Sequence, residues 1–310
     1  MAISQGLRWG KSGIVIVLWV LMLSLGRRAA ARLPRASAMF VFGDSFSDTG
    51  NLVEAFPFRS QVENPPYGST FFGAPSGRFS DGRLIIDFLA SDMDIPFLHP
   101  YFKNIEPQDR HGINFAMAGA TACDVIDVTG DTACNITAEV PFSLQFQTQH
   151  FKKFRQNVID ASAKHTTDSL GLNIPPLDAF RKGLYLIFIG ANDILNVFSQ
   201  LPADIDNIME VVVKAIYKAI KDLYAQEARD FVVFNIPPAG CFPNLLSTVG
   251  NTMPKDALNC SLIPNQAVQN FNAELLKALR CLREELENAT IWSVDIYQFM
   301  IDAITHPENY

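Results

Sequence analysis

Short runs of wholly apolar residues alternate along this chain with longer stretches in which apolar residues return every three or four positions. Ala38 to Gly43 (AMFVFG) is the first run and ends in a Gly-Asp-Ser turn. Leu184 to Gly190 (LYLIFIG) repeats the pattern ahead of Ala-Asn-Asp, Phe231 to Ile236 (FVVFNI) ends in Pro-Pro, and Thr290 to Ile296 (TIWSVDI) is the last. A fifth strand is expected around Ile113 to Ala116. Runs that are apolar on both faces predict parallel strands buried between helix layers. Between Ala203 and Arg229, residues Ile208, Val212, Ala215, Ala219 and Leu223 fall on one helical face. Asn265 to Leu286 does the same through Val268, Phe271, Leu275, Leu279 and Leu282. Strands alternating with helices give an α/β doubly wound sheet, whose ligands bind beyond the carboxyl ends of the strands. That rule brings forward the turns at Ser45 and Asn192.

Composition narrows the class without changing the architecture. The 310 residues are 48% hydrophobic with no internal break, which fits one globular domain over residues 38–310. A formal charge of −7 leaves no basic footprint for nucleic acid or anionic lipid. Residues 1–31 read as a signal peptide. Arg8 and Lys11 precede an apolar run from Gly13 to Gly26, and Ala29-Ala30-Ala31 offers small residues for cleavage. A signal anchor is the rival reading, favoured by Arg27-Arg28. A run of that length spans only about 21 Å as a helix, against a hydrocarbon core of roughly 30 Å. No stable membrane anchor is therefore expected, and the chain is placed outside the cell, by way of the secretory pathway.

Secretion agrees with the cysteines and the glycosylation sequons. Cys123 and Cys134 flank one loop and Cys241 and Cys260 another, so two local disulfides are the natural pairing. Cys281 is left over in a helical pattern and reads as a buried free thiol ahead of a bridge to an absent partner. Asn135, Asn259 and Asn288 each begin an Asn-x-Ser/Thr sequon near a loop or helix end.

Gly43-Asp44-Ser45-Phe46-Ser47-Asp48-Thr49-Gly50-Asn51 follows the first strand directly. Alone, Gly-Asp-Ser reads as a helix cap, since Ser and Asp are favoured there. Three further blocks accompany it in order. They are Asn64-Pro65-Pro66-Tyr67-Gly68 with Gly77-Arg78-Phe79-Ser80-Asp81-Gly82-Arg83-Leu84-Ile85-Ile86-Asp87-Phe88, then Asn114-Phe115-Ala116 through Gly119-Ala120, then Ile189-Gly190-Ala191-Asn192-Asp193. Together these resemble the plant branch of the GDSL esterases and lipases, within the SGNH hydrolases. The resemblance implies a flavodoxin-like three-layer α/β/α sandwich and hydrolysis of carboxylic esters with no metal and no cofactor. It implies Ser45 as nucleophile, with the Gly119 backbone N–H and the Asn192 side-chain amide as oxyanion-hole donors. A tetrahedral intermediate needs such fixed donors. Small acyl or acetyl esters of plant metabolites or glycans are the expected substrates. Phe56-Pro57-Phe58 and Phe71-Phe72 could line an acyl pocket but read first as core or loop packing.

A serine hydroxyl needs a base to take its proton. The family pattern supplies a histidine from a C-terminal Asp-x-x-His-Pro block. His99, His111, His150 and His165 have no Asp three residues before them, and the last two fall in polar stretches ahead of the third strand. His306-Pro307 follows Asp302 at a spacing of four, wrong by one residue. The expectation from sequence is a chain that stops before its acid–base block and before a final helix over the sheet. The alternative function is a secreted binding glycoprotein with an impaired site.

Overall fold

The computed structural model describes residues 36–56, 60–103, 108–124, 141–164, 173–199, 205–248 and 252–310. The expected signal peptide, Cys134, Asn135 and His165 lie outside them. The strands are β1 (Met39–Gly43), β2 (Gly112–Asn114), β3 (Leu184–Phe188), β4 (Asp230–Phe234) and β5 (Thr290–Val294). Around them lie α1 (Asn51–Ala55), α2 (Ile85–Asp92), α3 (Leu144–Lys164), α4 (Ala179–Lys182), α5 (Ala191–Ser199), α6 (Ile205–Ala225), α7 (Pro243–Ser247), α8 (Leu262–Glu285) and α9 (Ile296–Thr305).

The strands form one all-parallel sheet in the order β2-β1-β3-β4-β5. This is the doubly wound α/β sheet that the apolar runs predict. β1 and β3 are wholly buried, as central strands covered on both faces must be. The period of two divides their side chains between the layers. Phe40, Phe42, Tyr185, Ile187, Phe231 and Val233 face a core shared with α3, α6 and α8. Met39, Val41, Leu184, Leu186, Phe188, Val232 and Phe234 face Leu84, Ile86 and Leu89 of the α2 region and Ile296 of α9. Trp292, Phe299 and Met300 are only partly buried on that second face. Among the described residues, no helix is long and apolar enough to cross a membrane.

Two helices differ from the sequence reading. The stretch around His150, read as polar, is the 21-residue α3. Its buried stripe is Leu144, Gln147, Thr148, Phe151, Phe154 and Val158. Two polar residues sit on the inward face, which masks the helical period. The last strand stops at Val294 instead of Ile296 because Asp295 caps α9, its Oδ1 accepting from the Gln298 N–H at 3.0 Å. The cysteines divide likewise. Cys241 and Cys260 are bonded as expected, and Cys123 is also disulfide-bonded. Cys281, however, is exposed and free, not buried. It falls on the outward side of α8, whose buried face carries Leu275, Leu279 and Leu282.

Phe151 joins the layers. Its ring meets Phe40, Phe42, Phe115, Phe180 and Tyr185 edge-on, with centroids 5.4 to 5.9 Å apart. Phe151→Ala should therefore cost about 3–5 kcal/mol of stability, the range for emptying a buried aromatic site. Urea denaturation checks this, and a loss below about 1 kcal/mol would show that the helix is not anchored there.

Candidate active site

Ser45 lies just past the carboxyl end of β1, where the chain turns between packed backbones. A Cβ on Gly43 would sit 2.3 Å from the Phe188 carbonyl oxygen, so only glycine allows β1 to pass β3 this closely. The Asp44 N–H then donates to that same oxygen at 3.2 Å. Gln147 of α3 holds Gly43 from the other side. It accepts from the Gly43 N–H and donates to the Gly43 carbonyl, both at 2.8 Å. The N–H groups of Ser47 and Asp48 fold back to the Asp44 carbonyl at 3.0 Å. Ser45 is left half-buried, and neither its hydroxyl nor its N–H is hydrogen-bonded among the described residues.

Gly119 sits beside this loop in a tight turn. The Ala120 N–H donates to the Met117 carbonyl at 3.1 Å, and Gly119, third in that turn, has φ 81°, which favours glycine. Its N–H also has no partner among the described residues. The turn is fastened at three points. Asp48 accepts from the Ala118 N–H at 2.8 Å, Asn192 donates one amide hydrogen to the Ala120 carbonyl at 2.8 Å, and Asp193 accepts from the Ala122 and Cys123 N–H groups at 2.8 and 3.2 Å. Thus Ser45, Gly119 and Asn192 stand together at the carboxyl ends of β1, β2 and β3. Each has at least one polar hydrogen uncommitted among the described residues.

The motifs also contain residues to which the sequence reading gave no separate role. Asp48 accepts four backbone N–H groups, from Gly50, Asn51, Leu52 and Ala118, at 2.6 to 3.1 Å. Asn51 donates to the Asn114 and Ala116 carbonyls at 2.8 Å, and Asn114 donates to the Ser47 carbonyl at 2.6 Å. In the second block, Arg78 forms a buried bidentate pair with Asp87 at 2.8 Å. Phe56 packs on Phe142 at 5.7 Å, while Phe71 and Phe72 lie under Arg83 and Arg78. These contacts agree with loop packing for the phenylalanines. The only signal that could have exposed these scaffold roles is polar residues clustered immediately after apolar strands.

Burial dominates the electrostatics. It pushes the Asp44 carboxyl up to about 8, with Asp193 and Asp48 adding repulsion. Asp48 and Asp193 rise only to about 6, because the backbone N–H groups around them favour the charged form. Asp44 is therefore protonated at neutral pH, and its Oδ2 is buried without a partner.

None of the described histidines is hydrogen-bonded to Ser45. His111 Nδ1 lies 2.9 Å from the Ser37 carbonyl oxygen. His150 stacks near Phe146 at 4.2 Å. His99 lines a cleft beyond Gly50. His306 follows α9, exposed, with Nδ1 3.5 Å from Glu308. It belongs to the far edge of the sheet, three strand spacings or about 14 Å from β1.

Comparison with known proteins gives the family of the chain. The family model described as GDSL-like Lipase/Acylhydrolase matches residues 39–308. A GDSL esterase/lipase of Arabidopsis thaliana is 36% identical over 303 residues, covering 97% of this chain and 76% of the relative. An esterase of Hevea brasiliensis is 33% identical over 301 residues, covering 96% and 73%. A GDSL esterase/lipase of Medicago truncatula is 36% identical over 278 residues, covering 88% and 68%.

The raised carboxyls fix the sign of a pH effect. The folded protein keeps a proton on Asp44 that the unfolded chain releases near 3.8, so this group's contribution to stability falls as pH rises from about 4 to 8. Asp48 and Asp193 act in the same sense but are finished by about pH 6. Asp44→Asn should flatten the loss of stability between about pH 6 and 8. Urea midpoints at the two pH values measure it, and an equal drop in both proteins would mean that another group carries the proton.

Proposed function

The chain belongs to the family of GDSL-like lipases and acylhydrolases and is a carboxylic ester hydrolase, and we propose that Ser45 is its nucleophile. The observation that carries this reading is the set of unpaired polar groups at one point of the fold. In the proposed reaction, Ser45 Oγ attacks the ester carbonyl and the carbonyl oxygen becomes an oxyanion. The N–H groups of Ser45 and Gly119 and the second amide hydrogen of Asn192 receive it. Collapse breaks the bond to the alcohol, and water then releases the acid from Ser45. Donors fixed beforehand lower the barrier because no dipole has to reorganise as charge develops. The Ser45 proton passes through water to the departing alcohol, and the water that hydrolyses the acyl-serine returns a proton to Oγ; none of His99, His111, His150 and His306 is hydrogen-bonded to Ser45.

Small acyl or acetyl esters of plant metabolites or glycans are the proposed substrates. Export to the apoplast or cell wall is supported by the leader-like composition of residues 1–31 and by the Cys241–Cys260 disulfide. Asn259 and Asn288 are exposed in positive-φ turns, positions open to a glycan. Asn135, the third proposed glycan site, lies outside the described residues. A binding glycoprotein without turnover is not favoured, since relatives matched along most of the chain carry esterase and lipase names.

Hydrolysis of p-nitrophenyl acetate tests the assignment. Ser45→Ala should lose all protein-dependent release of nitrophenol, and Asn192→Ala should lower kcat by about 10²–10³ with KM little changed. His306→Ala should leave the rate within about twofold, as an exposed group distant from the nucleophile would. Undiminished turnover in Ser45→Ala would remove Ser45 from the mechanism.

A further inference from the structure

The residue directly after the nucleophile is a half-buried phenylalanine. Consecutive Cα atoms are about 3.8 Å apart, so a group seated on Phe46 lies beside Ser45. The Phe46 N–H donates to Asp44 Oδ1 at 3.0 Å, which fixes the backbone at this point. Its ring stacks on Phe188, with centroids 4.7 Å apart and 8° between the planes. Phe188 in turn stacks on Phe234 at 4.8 Å and 17°. The three rings form one parallel stack at the carboxyl ends of β3 and β4, where a doubly wound sheet receives its ligands. Phe188 and Phe234 are buried, so Phe46 is the end of the stack that meets solvent. Phe242 stands beside it, also half-buried, with ring centroids 6.2 Å apart and planes tilted by 57°. The Phe242 N–H donates to the Ala239 carbonyl at 3.0 Å, and the adjoining Cys241–Cys260 disulfide ties down the same loop.

The chemistry of this pair selects what it receives. Ligand sites are lined mainly by apolar and aromatic groups around a few placed polar ones. Here the two phenylalanines adjoin the uncommitted hydrogens of Ser45, Gly119 and Asn192. Phe188 covers one face of the Phe46 ring, and Phe242 edges the surface that remains. Neither ring carries a hydrogen-bonding group, so the hydroxyls of a sugar would give up water there without a partner. An alkyl chain would gain by burial alone. A planar aryl group gains by burial and also continues the stack. Aromatic pairs with centroids about 4.5–7 Å apart, stacked or tilted, gain more than their buried area supplies. All three spacings here fall in that range. An added ring would meet Phe46 face to face and Phe242 at an angle.

We propose that Phe46 and Phe242 form an aryl subsite beside the nucleophile, in which a planar aromatic group of the ester continues the Phe234–Phe188–Phe46 stack. This rests on the reading of Ser45 as nucleophile and deepens it by naming aryl esters as the substrate class. The aryl group can belong to the acid or to the alcohol, and two matched pairs of esters separate these. Methyl benzoate against methyl cyclohexanecarboxylate reports on the acid side, and phenyl acetate against cyclohexyl acetate on the alcohol side. Comparing each pair between wild type and variant cancels the intrinsic reactivity of the esters. In one of the pairs, Phe242→Leu and Phe46→Leu should each lower the aryl-to-cyclohexyl ratio of kcat/KM about threefold or more, the worth of one lost ring contact. Phe242→Tyr, which keeps the ring, should retain the ratio. A binding measurement needs no turnover. In Ser45→Ala, acetophenone should give a saturation-transfer NMR signal stronger than that of cyclohexyl methyl ketone, and adding Phe242→Leu should weaken acetophenone binding by a similar factor. The proposal is overturned if both ratios move less in the folded leucine variants, or if acetophenone binds no better than the cyclohexyl ketone. Absence of Ser45-dependent turnover, with acetophenone still bound through Phe242, would overturn the nucleophile and leave the subsite standing. Ser45-dependent turnover with unmoved ratios would remove the subsite alone.

Discussion

The carboxylate of Asp48 is the contact on which the site depends. It lies three residues after Ser45, fully buried, and accepts four backbone N–H groups from two separate segments. Three of those donors, at Gly50, Asn51 and Leu52, start helix α1. The fourth, at Ala118, belongs to the turn that presents Gly119. One side chain therefore sets the distance between the nucleophile and an oxyanion donor. A neutral hydroxyl could not accept from all four at once. The same four dipoles hold the Asp48 carboxyl near 6, below Asp44, which has fewer N–H partners and is pushed to about 8. Burial alone would drive both carboxyls toward the neutral form, and the number of donors separates them.

Asp193 repeats the device on the other side of the Gly119 turn. It gathers the N–H groups of Ala122 and Cys123, while its neighbour Asn192 holds the Ala120 carbonyl. The strands set these anchors in place. β1 lies between β2 and β3, so loops leaving their carboxyl ends converge without long excursions. Close passage at Gly43 and the clamp from Gln147 then remove the remaining freedom of the backbone around Ser45. A rigid site of this kind is assembled mainly from backbone dipoles, with side chains serving as ties between loops.

Much of this was legible in sequence where one physical signal acted alone. Both-face apolar runs located β1, β3 and β4, since a central parallel strand has no polar face to confuse the pattern; the edge strands β2 and β5, expected at Ile113 to Ala116 and Thr290 to Ile296, run from Gly112 to Asn114 and from Thr290 to Val294. Helix α8 was legible from its regular apolar stripe. Helix α3 was not, because Gln147 and Thr148 take buried positions on its inward face, and Gln147 is there to hold Gly43. The requirements of the site thus erased the period that would have revealed the helix. Cys281 was misjudged because helical spacing identifies a helix without fixing how far its stripe extends. The family blocks pointed to Ser45, Gly119 and Asn192. Nothing in sequence spacing could show that Asp48 and Asp193 tie the Gly119 turn at both ends, because those bonds cross about 70 residues of chain.

The unpaired groups gain their meaning from this saturation. Around Ser45 the carbonyls of Gly43 and Phe188, the Gly43 N–H and both oxygens of Asp48 are all engaged. Folding leaves few buried donors without partners, because each costs stability. Among the described residues, the N–H groups of Ser45 and Gly119, one Asn192 hydrogen and the Ser45 hydroxyl are unpaired at half-buried positions, beside the buried and unpaired Asp44 Oδ2 and Ser47 Oγ. Donors that lose little by remaining unpaired in the resting protein gain most when an oxyanion appears, since no existing bond must break first. The ties that hold the loops therefore also define which groups are free to act on the substrate.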